Sequence, residues 1–355
     1  MQKQPWIGKP VIDIVFILLP PFVCLLIIAL FPSWFQDAKG IPDAGWVILI
    51  LLIDVAHVYS TLYRTYFDPR SFNKQRTVLL AIPLIGFAAG VMLYSVSPLL
   101  FWRVLAYTAV YHFIRQQYGF MRVYGRKEKK NTIATRIDTI TIYYATLYPL
   151  LYWHFKGPRN FNWFIDDDFI YMKSAFLVQV LTILYFAIVF TYLAREVFSY
   201  IKTRFVNIPR LLLISGTLIS WYFGIVYFNG DMAFTLLNVV SHGIPYMALV
   251  WIYGQKNYKQ EKKGTPFLQL LFSRNGIILF LSMLFLFAFI EEGLWDWAVW
   301  NEHHTVFGLG KGISLSQQAL AFVVPLLALP QVTHYILDGF IWKIKQDDFK
   351  WKNES

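Results

Sequence analysis

Repeated apolar stretches of about 20 residues constrain this chain more than any other feature. A helix rises 1.5 Å per residue, so such a stretch matches the ~30 Å hydrocarbon core of a bilayer. Read with a window of about 19 residues, spans fall near 11–32, 45–64, 77–98, 100–122, 138–155, 174–198, 209–228, 232–253, 270–290 and 317–342. The third and fourth are parted only by a short stretch around Pro98, so nine or eleven spans are open, with ten fitting the charges best. Of the 355 residues 57% are hydrophobic and only 15% charged, against roughly 25% charged in soluble domains. An ordinary soluble enzyme is excluded. The expected fold is an all-α, polytopic integral-membrane helical bundle, one domain over 1–355 with short loops and no inserted soluble module.

The first run is long and lacks a small-residue cleavage site after it, so it reads as a retained span rather than a secretory leader. The single Cys24 excludes intrachain disulfides and paired-cysteine metal motifs.

The net charge of +11 admits three origins: a nucleic-acid partner, anionic lipid, or topology. With a cytoplasmic N-terminus, 25 of the 32 Lys and Arg fall on inside segments, including Lys343, Lys345, Lys350 and Lys352 of the tail, and five fall outside (Lys39, Lys156, Arg159, Lys173, Lys311). The outer loops are acidic instead, with Asp166, Asp167 and Asp168 in one and Glu291, Glu292, Asp296 and Glu302 in another. This is the positive-inside pattern. It places both termini in the cytoplasm and suits a bacterial inner membrane; membrane lipids are partners and nucleic acid is not.

Ionisable groups inside a span are expensive and mark function by default. Span two carries Asp54 and His57, span four His112 and Arg115, span eight His242, and span ten His334 and Asp338. All four spans run in the same direction, and each His precedes a basic cytoplasmic flank by 7 to 14 residues, or roughly 10 to 20 Å. The four imidazoles therefore share one expected layer. Imidazole is the commonest nitrogen ligand for iron, zinc and copper, and a carboxylate one turn away ligates or orients it.

The expected metal residues are thus His57, His112, His242, His334, Asp54 and Asp338, holding one iron or a dinuclear iron centre. Arg115, Tyr111 and Tyr335 are the candidate catalytic groups, with Arg64 and Gln116 as further donors and Tyr63, Tyr118 and Tyr246 lining the pocket. The structural alternative is that these His are interhelical hydrogen-bond donors and that Asp54 and Asp338 pair with Arg64 and Arg115. His154, His303 and His304 lie elsewhere, the last two on a Trp-rich outer loop. The region between spans six and seven reads as apolar packing.

No nucleophile elbow, phosphate loop or dinucleotide fingerprint occurs, and the His spacings match neither membrane-desaturase boxes nor paired-His haem bundles. The expected function is a membrane-bound, metal-dependent oxidoreductase acting on a lipid-soluble substrate such as an acyl chain, carotenoid or other isoprenoid, with a redox partner as an option. The alternatives are haem b binding for electron transfer and a proton-coupled transporter using the same polar residues.

Overall fold

In the computed structural model, residues 3–36, 40–128, 132–260, 264–308, 310 and 312–342 are described. Lys39, Lys311 and the four tail lysines named above lie outside the described residues, as does the cytoplasmic placement expected of the C-terminal tail. The described residues are helical, with no strand among them. Ten long helices follow one another: α1 (Pro10–Leu18 and Pro20–Leu30, bent by 49°), α2 (Asp43–Arg64), α3 (Arg76–Val96), α4 (Pro98–Tyr124), α5 (Thr132–Lys156), α6 (Ala175–Thr203), α7 (Ile208–Tyr227), α8 (Asp231–Tyr258), α9 (Gly276–Trp300) and α10 (Gln317–Ile341). Seven are long and apolar enough to cross a membrane, or eight when the bent α1 counts as one. The other two, α4 and α5, have 27 and 25 residues but more polar sequences.

Local chemistry sets the breaks. Pro20 and Pro21 lack the N–H groups that would continue α1, and the chain bends there. Between α3 and α4 a single extended residue, Ser97, suffices, because its Oγ accepts the N–H of Leu100 and Pro98 opens the next helix. This resolves the ambiguity around Pro98 as two helices.

The most buried helix is α8, which packs against α1, α2 and α7. Around it α10 packs on α2, α3 and α4, while α6 and α3 turn most of their surface outward. Gly243 allows the closest approach of α8 to α2: a Cβ there would lie 2.8 Å from Ile53 Cγ2 and 3.0 Å from Ile53 O. Side chains larger than hydrogen would push these two helices apart.

Two sequence expectations are corrected. Glu291, Glu292 and Asp296 are not on an outer loop: α9 continues through them to Trp300, and all three are buried. Glu291 is satisfied in place by Tyr59 Oη at 2.6 Å, Trp295 Nε1 at 3.4 Å and Gln331 Nε2. The helix stops where Asn301 adopts a left-handed conformation and Asp296 Oδ1 accepts the N–H groups of Glu302 and His303.

The second correction concerns spans six and seven. Arg210 on α7 bonds Glu128, Asp138 and Glu196, and Arg195 bonds Asp138 and Glu196, forming a buried ion cluster rather than apolar packing. Asn207 adds hydrogen bonds to Tyr124 O and Glu128.

Candidate metal centre

His57, His112, His242 and His334 come from α2, α4, α8 and α10, and all four are only 1–2% exposed. Each offers a ligand nitrogen within 4.8 Å of the others. Ring centroids are 4.7 Å apart for His57 and His242, 5.0 Å for His57 and His334, 5.0 Å for His112 and His242, and 4.5 Å for His112 and His334. Ligands at ~2.0–2.1 Å from one ion lie about 3 to 4 Å from each other, and His57 Nε2 and His242 Nε2 already stand 3.1 Å apart.

The hydrogen bonds behind the rings decide which nitrogens face the centre. Tyr246 donates to Asp338 Oδ1 at 2.5 Å, so its oxygen is left to accept from Thr61 Oγ1 at 2.9 Å and Trp342 Nε1 at 3.3 Å. With its proton on Tyr246, Thr61 Oγ1 is the acceptor for His334 Nδ1 at 2.7 Å. His334 therefore carries its proton on Nδ1 and keeps the Nε2 lone pair. His57 Nδ1 faces the carbonyl of Ile53 at 3.3 Å, a group that only accepts, and Asp54 Oδ1 at 3.8 Å. His112 Nδ1 lies 3.6 Å from Asp338 Oδ2. His57 and His334 are thus held in the tautomer that leaves Nε2 basic, while His112 Nδ1 faces a carboxylate beyond hydrogen-bond distance. The Nε2 atoms of His112 and His334 have no hydrogen-bond partner. Buried nitrogens without a partner are costly unless something binds them.

The fourth ring is set by packing. Phe113 stacks on His242 at 3.5 Å and 9°. Pro245 has no N–H for the carbonyl of Ser241, and Gln117 Nε2 covers that carbonyl at 3.4 Å while Gln116 Nε2 donates to His242 O at 3.0 Å. The interruption in α8 is therefore capped by α4, beside a small cavity lined by Gln117, Ser241 and Pro245.

Of the residues singled out from sequence, the four His are brought together. Asp54 and Asp338 lie behind the rings on the Nδ1 side, Asp338 serving both His112 and, at 3.9 Å, His334. That position suits orientation of the rings. Tyr335 stays close, 5.1 Å from His112 ring to ring.

Tyr111 and Arg115 do not join the cluster: Tyr111 is 63% exposed, and Arg115 donates to Tyr143 Oη at 2.5 Å and lies over Tyr118. At ~100° per residue, both fall on the same flank of α4 when His112 faces inward. Tyr63 bonds Phe280 O instead of lining the site. Arg64 sits between the rings of Tyr253 and Trp342 and donates to Ile341 O. Thr61, Phe113 and Gln117 were missed, although Thr61 stands one turn after His57.

The remaining His are placed apart. His154 bonds Tyr107 Oη at 2.7 Å; His303 stacks on Trp46 near Asp43, and His304 faces Asp296. Among the described residues no other group of three candidate ligands converges. Between centroids, these neighbouring rings stand 4.5 to 5.0 Å apart, closer than two imidazoles on opposite faces of a haem would stand. No known protein family, curated protein or solved structure matches the chain.

Proposed function

We propose that the chain is an integral-membrane oxidoreductase that holds one iron ion in the four-His centre and acts on a lipid-soluble substrate, an acyl chain, carotenoid or other isoprenoid. The reading rests on one observation above the rest: four imidazoles from four helices, each nearly fully buried, with ligand nitrogens within 4.8 Å of one another. An all-imidazole set suits iron, zinc and copper alike. Iron is preferred because four ligands leave positions open in its six-coordinate shell, where dioxygen and substrate can meet away from water. Tyr335 borders the rings and is the remaining candidate for positioning a reacting oxygen.

In this reading the ten long helices all cross the bilayer, with both termini on the basic, cytoplasmic side of a bacterial inner membrane. For the transport alternative, which uses the same polar residues, the interruption at Pro245 offers no free carbonyl, because Gln116 and Gln117 cover the carbonyls there.

Elemental analysis of protein extracted in mild detergent tests the centre. About one iron per chain is expected, falling below a tenth in His112→Ala and His334→Ala. Metal-free wild type, or variants that keep full occupancy, would remove the reading. Dioxygen uptake with polyene and acyl-lipid substrates then separates an oxidoreductase from a structural metal protein.

A further inference from the structure

The Trp-rich end of α9 and the turn after it hold a His and a carboxylate that the four-His centre does not use. Asp296 is 2% exposed. Its Oδ1 accepts the N–H groups of Glu302 and His303 at 2.7 and 2.6 Å, which fixes the carboxylate in place. Its Oδ2 has no hydrogen-bond partner and lies 3.3 Å from Nδ1 of His304, whose side chain is 45% exposed. An ionised carboxylate only accepts, so its place behind Nδ1 favours a proton there and leaves Nε2 as the free nitrogen.

His304 lines a cavity of about 450 Å³ between the end of α9 and the start of α10, together with Ala298, Val299, Ser314, Leu315 and Leu320. That volume lies in the range of small-molecule sites, about 300–1,000 Å³. The frame around it is fixed at several points. The N–H of Ile313 donates to Trp297 O at 3.0 Å, and Gly312 approaches Asn301 so closely that a Cβ would fall 1.6 Å from its Oδ1. Thr305 Oγ1 donates to Asp43 Oδ2 at 2.7 Å, and His303 stacks on Trp46 at 3.9 Å, tying the turn to the start of α2.

The walls state what the cavity takes. Apart from His304, Asn301 and Ser314, the side chains lining it are aliphatic, which suits a hydrocarbon chain. With Asp296 behind it, His304 presents no net positive charge in either state of its ring, so an anionic head gains no attraction from the pair. A hydroxyl fits both states, donating to a neutral Nε2 and accepting from a protonated one. Trp295, Trp297 and Trp300 surround the same helix end, and such aromatic groups gather at membrane–water interfaces, where an amphiphile leaves its polar head.

We propose that this cavity binds a long-chain lipid alcohol, with its hydroxyl on His304 Nε2 and its chain against Val299, Leu315 and Leu320. Asp296 is a positioning residue that holds the ring. The site involves none of the four buried His and stands or falls separately from the metal reading.

Photolabelling of the full-length protein in mild detergent with a diazirine-bearing long-chain alcohol, mapped by peptide mass spectrometry, tests the site. Crosslinks should concentrate between residues 298 and 320 and be competed by unlabelled alcohol better than by the fatty acid or alkane of the same length. His304→Ala removes one hydrogen bond and should weaken binding about fivefold. Leu320→Trp fills the cavity without touching the His304 and Asp296 pair and should abolish labelling there, with melting temperatures confirming that both variants fold. Crosslinks scattered over other helices, or undiminished in either folded variant, would overturn the site. Should Leu320→Trp not fold, His304→Ala decides alone, since a half-exposed side chain is dispensable to the core. Stronger competition by the fatty acid than by the alcohol would overturn the hydroxyl assignment.

Discussion

Asp338 shows what the second layer of residues contributes. Its Oδ2 faces His112 Nδ1 and its Oδ1 holds Tyr246, which in turn anchors Thr61 against His334, so one carboxylate governs two rings from different helices. Partners of this kind are worth 10–100-fold in metal affinity. Asp338→Asn should therefore keep all four imidazoles and weaken metal binding by about that factor, measured by competition with a chelator of known strength. Affinity unchanged in this variant would mean that Asp338 does not orient the rings. The His residues themselves were legible in the sequence because an ionisable group inside an apolar run is costly. Thr61, Phe113 and Gln117 were not, because Thr, Phe and Gln are tolerated in membrane helices for many reasons, and only the fold reveals which ring or carbonyl each one meets.

The helices were legible to within a few residues where apolar runs end in charge, and illegible where charge is buried. Span two, expected at 45–64, is observed as Asp43–Arg64, whereas the ninth, expected at 270–290, runs from Gly276 to Trp300. Glu291 and Glu292 look like a loop in sequence, since nothing nearby in the chain predicts that Tyr59 and Gln331 will meet Glu291. The contact of α2 with α8 was equally hidden, because a lone glycine in an apolar run carries no signal about its partner. Gly243→Val should separate the two helices, since even a Cβ would press on Ile53 within 3.0 Å. Overpacking of this sort costs about 1–3 kcal/mol, and here it also parts His57 from His242. The expected result is a lower melting temperature together with metal occupancy below half. A variant as stable and as fully loaded as wild type would show that the close approach at Gly243 is not needed.

The Arg210 cluster ties α7 to α5, α6 and the segment after α4, on a part of the molecule separate from the four His. Its members are scattered from Glu128 to Arg210, so no local pattern announced it. Removing one partner of a buried ion network leaves charges uncompensated, at about 3–5 kcal/mol. Arg210→Met is expected to lose that much stability in detergent while the protein that remains folded binds metal normally. Metal loss in step with folded Arg210→Met protein would instead couple the two regions.

Orientation is the remaining property of the whole molecule, and the charge pattern makes it testable at three exposed positions. If every helix crosses, residues after α2 and after α4 share the cytoplasmic face, and the segment before α6 lies opposite. Cys24 is the sole cysteine and is buried, so Cys24→Ala supplies a background without thiols. In it, Arg70→Cys and Lys127→Cys should resist a membrane-impermeant maleimide applied to intact cells, while Lys173→Cys is labelled. The second position carries the most information, because α4 and α5 are the two long helices too polar to qualify as spans on composition alone. If these two lay on one side of the bilayer, Lys127→Cys would label together with Lys173→Cys, and α4 could not carry His112 to the same membrane depth as the other three ligands. Labelling of Arg70→Cys and Lys127→Cys without Lys173→Cys would invert the orientation read from the 25 basic residues and leave the helix count intact.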